Sequence, residues 1–182
     1  MAGEMLIEPV PAASVLVLRH GESGGPFEVL LLRRNEKSSF VPGAWVFPGG
    51  VADESDGGDL RVTAVRETFE EAGVTLEPEA LVWTSRWITP LGLPKRFDTY
   101  FYLAKVGRDV PVAIDNREIA DSMWIAPADA LARRDLKLVF PTIRNLEAIA
   151  GFPNADAVIE SRRGAVIEAI LPVLVDGKPT LP

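Results

Sequence analysis

The stretch Arg66-Glu67-Thr68-Phe69-Glu70-Glu71-Ala72-Gly73-Val74 constrains this chain more than any other. Its three carboxylates stand at i, i+3 and i+4. At ~100° per residue they fall within about one quarter of a helix circumference. Val62, Val65, Phe69 and Ala72 fall on the other side. The spacing therefore predicts a helix with an apolar stripe against a sheet and an acidic stripe turned away from it. Asp59 is placed to cap its start and Gly73 its end. An acidic stripe is often no more than a solvated face. Carboxylates crowded on one face are also the oxygen ligands that hard divalent cations take.

The residues upstream narrow the choice. Val46-Phe47-Pro48-Gly49-Gly50 reads as a short apolar strand running into a glycine pair that permits a tight turn or close approach to a ligand. Strand, Gly-Gly loop and acidic helix together resemble the Nudix box. That family pattern is Gly, five residues, Glu, seven residues, then Arg-Glu-apolar-x-Glu-Glu-x-Gly-apolar. The second half matches throughout, with Thr68 in the first apolar slot. The first half departs from it. Five residues after Gly50 stands Asp56 rather than Glu, and residues 57–65 make the next spacer two longer, with Gly57-Gly58 inside it. Asp56 is the candidate for the acidic position, with Glu54 and Asp53 as alternatives.

The resemblance implies a Nudix fold, a mixed α/β (α+β) sheet sandwiched between helices. It implies hydrolysis of a nucleoside diphosphate linked to another moiety, with Mg²⁺ or Mn²⁺ as cofactor. By the same carry-over, Glu67, Glu70 and Glu71 hold the metal together with a Gly49 or Gly50 carbonyl. Arg66 pairs with Asp56 or a box carboxylate, and Gly49 and Gly73 support the geometry. Two carboxylates qualify as general base: Glu67 within the box, and Glu118 in Asn116-Arg117-Glu118-Ile119-Ala120-Asp121.

The flanks resemble the branch related to peroxisomal coenzyme A diphosphatases. The likeness lies in Leu31-Leu32-Arg33-Arg34, in residues 42–50, and in residues 87–101 with Pro94-Lys95-Arg96-Phe97-Asp98-Thr99. In all it covers about residues 14–150. The stricter bacterial coenzyme A pattern before the box is not reproduced by Arg33-Arg34-Asn35-Glu36. Coenzyme A or acyl-coenzyme A is thus the leading small-molecule partner, with Arg33, Arg96 and Phe47 as substrate-binding candidates. Arg34, Arg86 and Lys95 are further cations that could meet phosphates. ADP-ribose, NADH and dinucleoside polyphosphates are the alternative substrates. A non-catalytic ligand sensor on the same fold is the alternative class, against which the intact acidic cluster counts.

Composition excludes several other chemistries. The 182 residues contain no cysteine, which removes disulfides, thiolate metal sites and thiol nucleophiles. The single His20, beside the turn at residues 21–26, makes a Ser-His-Asp triad unpromising. A net charge of −7 argues against nonspecific nucleic-acid binding. No run reaches the ~18–20 apolar residues of a membrane span. Residues 1–12 lack a signal-peptide pattern. The expectation is a cytoplasmic protein with no membrane partner, with a homodimer left open.

The layout reads as a loose arm over residues 1–13 and a single domain over 14–182. Residues 14–19 and 27–33 suggest a hairpin, 34–44 a polar loop, and 45–47 a short strand. Strands are expected at 81–88, 97–106, 123–126 and, late in the chain, 165–175. Helices are expected from Pro127, over 141–150 on the spacing of Ile143, Leu146, Ile149 and Ala150, and over 155–163.

Overall fold

The computed structural model describes residues 7–182. Along them run β1 (Val10–Arg19), β2 (Glu28–Arg34), β3 (Trp45–Val46), β4 (Gly49–Val51), α1 (Leu60–Ala72), β5 (Val82–Ile88), β6 (Phe97–Lys105) and β7 (Ile119–Ile125). After these come α2 (Pro127–Ala132), α3 (Phe140–Ala150), α4 (Ala155–Arg162), β8 (Ala169–Ile170), β9 (Val173–Val175) and β10 (Lys178–Thr180). One mixed sheet runs β3-β2-β1-β6-β5-β8, with β4 added to β1 and β7 to β2; β9 and β10 form a separate hairpin.

Strict alternation along the central strands creates two cores. From β1 and β2, Leu16, Leu18, Val29 and Leu31 point to one face and Val15, Val17, Leu30 and Leu32 to the other. Burial on both faces makes these strands read as continuous apolar runs. Ala130, Leu146, Ile149, Ala155 and Val158 of α2, α3 and α4 close the first face. Helix α1 closes the second with Ala64 and Ala72.

The sheet splays beside β1. This strand meets β2 only at Leu18↔Val29 and Arg19↔Glu28, while β4 takes its other half from Ala12↔Val51 to Ser14↔Gly49. The glycine pair, expected in a loop, is therefore built into the sheet as an edge strand. β1 also runs parallel to β6 from Val10↔Phe97 to Leu18↔Lys105.

Several expectations shift. β1 starts at Val10, so residues 10–13 of the expected arm are sheet, while residues 1–6 lie outside the described residues. β7 begins four residues earlier than expected, at Ile119, because β2 offers a partner back to Arg34. The late strand breaks into Ala169–Ile170 and Val173–Val175 around Pro172, which has no N–H for a ladder. The largest difference concerns α1. Its buried residues are Thr63, Ala64, Thr68, Glu71 and Ala72, and the supposed apolar anchor Phe69 is 57% exposed. Small side chains let this helix approach the sheet closely. The approach turns Glu71 inward and Phe69 out.

Candidate active site

Both ends of α1 are capped by side chain or glycine. The Asp59 carboxylate accepts from Arg61 N at 2.9 Å, and Gly73 ends the helix in the left-handed conformation. Before it, Asp53–Asp56 forms a capped turn in which Asp53 N donates to Asp56 Oδ2 at 2.9 Å. Gly57 and Gly58 follow at φ of +66° and +82°, a region costly for other residues. This double left-handed step absorbs the two extra residues of the loop and still leaves Asp56 beside α1.

Arg66 is the hub. Its Nε donates to Asp56 Oδ1 at 2.8 Å and its Nη2 to Asp56 Oδ2 at 3.0 Å, a bidentate pair. Nη2 also reaches Val51 O at 3.1 Å on β4. Nη1 donates to Glu67 Oε1 at 2.7 Å and Glu70 Oε2 at 3.3 Å. Asp56 is only 5% exposed and also accepts from Thr63 Oγ1 at 2.7 Å. The Arg66 hydrogen bonds hold the Asp56 carboxyl well below its usual range against the opposing cost of burial, and Asp56 in turn raises Arg66. One side chain thus joins the loop, β4 and two carboxylates of the acidic face.

The three carboxylates occupy unequal settings. Glu70 is largely exposed, Glu67 is half-buried, and Glu71 is 3% exposed. Gly49 N donates to Glu71 Oε2 at 2.9 Å. A Cβ on Gly50 would stand 2.4 Å from the Glu67 carboxyl carbon, so Glu67 lies directly against the bare backbone of β4. A Cβ on Gly49 would strike Ala13 O at 2.3 Å. Burial pushes the Glu71 carboxyl up to about 8, opposed by the Gly49 hydrogen bond and by Arg34; the charges of Glu67 and Glu118 add to the rise. Burial also raises Glu67, against the pull of Arg66, with Glu70 and Glu118 contributing to the rise.

Among the described residues no three Asp, Glu, His or Cys side chains are gathered in coordinating geometry. Arg66 is bonded to both Glu67 and Glu70, and Glu71 is turned to Gly49. The donor set nonetheless fits a hard cation. It is all oxygen, it contains a buried carboxylate with no cation bonded to it, and a positive group already sits across Glu67 and Glu70.

Comparison with known proteins identifies the family. The NUDIX domain family model matches residues 9–146. This chain belongs to the Nudix family. It is 41% identical over 70 residues to the peroxisomal coenzyme A diphosphatase ndx-8 of Caenorhabditis elegans, covering 38% of this chain and 30% of that protein. It is 25% identical to the acyl-coenzyme A diphosphatase NUDT19 of Xenopus laevis, over 58% of this chain and 54% of that protein. The chain thus spans about half or less of these relatives' lengths. The crystal structure of a NUDIX hydrolase from Alicyclobacillus acidocaldarius superposes with a TM-score of 0.76 at 28% identity, covering 84% of this chain and 96% of that one. The mixed sheet between helices is the Nudix fold. Among the described residues no helix is long and apolar enough to cross a membrane.

Around the Nudix helix, Glu118 stands immediately before β7, where its charge is felt by both Glu67 and Glu71. Other candidates are placed elsewhere. Phe47 is a core residue, edge-on to Phe101 at 6.2 Å, and has no face to offer a ligand. Arg96 is 8% exposed and donates to Thr89 O at 3.0 Å and Ile7 O at 2.7 Å. Its guanidinium serves carbonyls near strand ends. Arg33 faces Glu36 at 3.6 Å and is partly exposed. Arg86 is bonded to Asp98 at 2.8 and 2.6 Å. Two residues near the site drew no role from the sequence. Asn35 donates from N to Glu118 O at 2.8 Å, and Asp115 accepts from three backbone amides around Glu118. An Asp two to four residues before a candidate base is an Asx-turn signal that could have revealed the second.

Proposed function

We propose that this Nudix chain hydrolyses a diphosphate bond in a nucleoside diphosphate joined to a second moiety. The observation that carries the reading is the acidic face of α1, clamped by Arg66 to Asp56 and laid on the bare backbone of Gly49 and Gly50. Glu67, Glu70 and Glu71, with the Gly50 carbonyl, would hold Mg²⁺ or Mn²⁺. A cation bound there neutralises the phosphate charge that repels nucleophiles and lowers the pKa of water. Arg66 fixes Glu67 and keeps the helix in register with β4. Glu118 accepts the proton from the attacking water. Glu67 is less suited to that role, because Arg66 already binds its carboxylate at 2.7 Å. The Glu118 side chain has no hydrogen bond or ion pair among the described residues.

Within this class the proposed substrate is coenzyme A or an acyl derivative. Support comes from the flanking motifs and from relatives named coenzyme A and acyl-coenzyme A diphosphatases. The test is a panel of coenzyme A, ADP-ribose, NADH and a dinucleoside polyphosphate, each with Mg²⁺ and with Mn²⁺. Product analysis should find coenzyme A converted to 3′,5′-ADP and the phosphopantetheine fragment with the highest kcat/KM. Preference for ADP-ribose or NADH would overturn the substrate but keep the reaction. Binding without turnover of any member would favour a sensor.

A further inference from the structure

The loop carrying Glu118 is more tightly built than its exposure suggests. Asp115 Oδ1 accepts from Arg117 N at 3.1 Å, Glu118 N at 3.2 Å and Ile119 N at 3.0 Å, and Oδ2 lies 3.3 Å from Glu118 N. One carboxylate thus gathers three consecutive amides at the mouth of β7. Asn116, between them, adopts φ of +58°, a conformation Asn tolerates better than most residues. Burial pushes the Asp115 carboxyl up, but the amides of Ile119, Glu118 and Arg117 outweigh it and keep the group below its usual range.

The gathered turn is tied down on both sides. Ala113 N donates to Ala72 O at 2.8 Å, so the segment leading into the turn is bonded to the last turn of α1. A Cβ on Gly73 would stand 3.2 Å from Ala113 Cβ, a close packing of helix end and loop. On the other side, Asn35 N donates to Glu118 O at 2.8 Å and Asn35 Nδ2 to Arg117 O at 3.3 Å. Beyond the turn, Ile119 is fully buried in the core beneath α1. The chain from Ala113 to Ile119 therefore connects the helix that bears Glu67, Glu70 and Glu71 to Glu118 through contacts that Asp115 organises.

We propose that Asp115 is the positioning residue for Glu118, fixing its backbone against α1 so that its carboxylate faces the acidic cluster. The inference rests on the reading of Glu118 as proton acceptor. Asp115 touches no substrate atom in this account and acts by holding the turn. A base displaced by about 1 Å can cost on the order of 10²-fold in rate.

The test pairs kinetics with hydrogen exchange on the full chain, using coenzyme A and Mg²⁺, or whichever panel substrate turns over fastest. Asp115→Ala should lower kcat roughly 10–10²-fold with KM changed less than about threefold. Asp115→Asn keeps an acceptor oxygen for the turn and should restore most of the rate. In a Glu118→Gln background, Asp115→Ala should add little further loss, as expected for two residues acting as a unit. Amides 117–119 should exchange faster in Asp115→Ala and near normally in Asp115→Asn, and circular dichroism should show both folded. Asn35→Ala, which loosens the turn from the opposite side, gives a milder version if Asp115→Ala is unstable. Wild-type kcat in Asp115→Ala, with Glu118→Gln impaired, would overturn the inference and leave the base reading intact. A full further loss in the double variant would also overturn it. Wild-type kcat in Glu118→Gln would remove the base reading, and the positioning role with it.

Discussion

Helices α1 and α3 cover opposite faces of one sheet and are held there by different forces. α3 buries Leu146 and Ile149 in the larger hydrophobic cluster, with Ile143 and Ala150 half-buried beside them; its buried Thr142 and Asn145 bear no charge. Apolar area removed from water, worth about 25 cal/mol per Å², contributes to its seat, together with a hydrogen bond from Ser85 Oγ to Asn145 Oδ1 at 2.7 Å. α1 buries two alanines, two threonines and a glutamate. Little apolar area is fully buried there, and a polar clamp to the loop and β4 takes its place: Arg66 to Asp56, Asp56 to Thr63, and Glu71 to Gly49. A helix seated by aliphatic side chains serves as structure. One seated by polar residues holds them at fixed places, where chemistry can use them.

The strongest way to break this contrast is Glu71→Gln. The amide can still accept from Gly49 N, so thermal unfolding should barely move. Turnover should fall on the order of 10²–10³-fold, because a charge needed by the cation is gone. Steady-state rates on the preferred panel substrate check it; an unimpaired rate would place the cation elsewhere. Leu146→Ala on α3 should do the reverse. It should cost about 2–5 kcal/mol in denaturant unfolding and leave kcat per folded molecule unchanged.

A smaller effect is expected at the clamp. Asp56→Asn keeps the shape but removes the charge bonded to Arg66, and should destabilise by about 1.5–3 kcal/mol. The Asp56 carboxyl is held below its ordinary value by Arg66. Its contribution is therefore complete above the unfolded carboxyl pKa of about 4 and is lost as pH falls toward the folded value. Wild-type stability should drop more steeply than that of Asp56→Asn below about pH 4. Parallel curves in urea titrations across that range would show that the clamp carries no such linkage. The smallest change is expected from Phe69→Ala. Its ring stands in solvent, so stability should stay within about 0.5 kcal/mol.

The same contrast explains what could be read from the sequence. α3 was legible because aliphatic residues at helical spacing report the buried face directly. The length of α1 was equally legible, since Asp59 and Gly73 mark its ends. Its orientation was not. Periodicity counts Phe69 as buried and Glu71 as exposed, and the polar clamp inverts both. The count from Gly50 singles out Asp56 as a partner for Arg66; the left-handed steps at Gly57 and Gly58 that fit the longer loop between them are not readable from that count. Arg96 is a substrate-binding candidate from its place in Pro94-Lys95-Arg96-Phe97-Asp98-Thr99. Carbonyls at Thr89 and Ile7, far apart in the chain, accept from its guanidinium, which a sequence does not show. Asp115 is legible only as an Asx-turn signal, because its partners are backbone amides, which carry no sequence identity.

The central claim is that the acidic face of α1 holds a divalent cation. It is tested most directly by calorimetric titration with Mn²⁺ of the wild-type chain and of Glu67→Gln, Glu70→Gln and Glu71→Gln. The account predicts saturable binding to the wild type and a loss of at least about tenfold in affinity, roughly 1.4 kcal/mol, for Glu70→Gln and Glu71→Gln. No saturable binding to the wild type, or equal affinity in all four proteins, would contradict it.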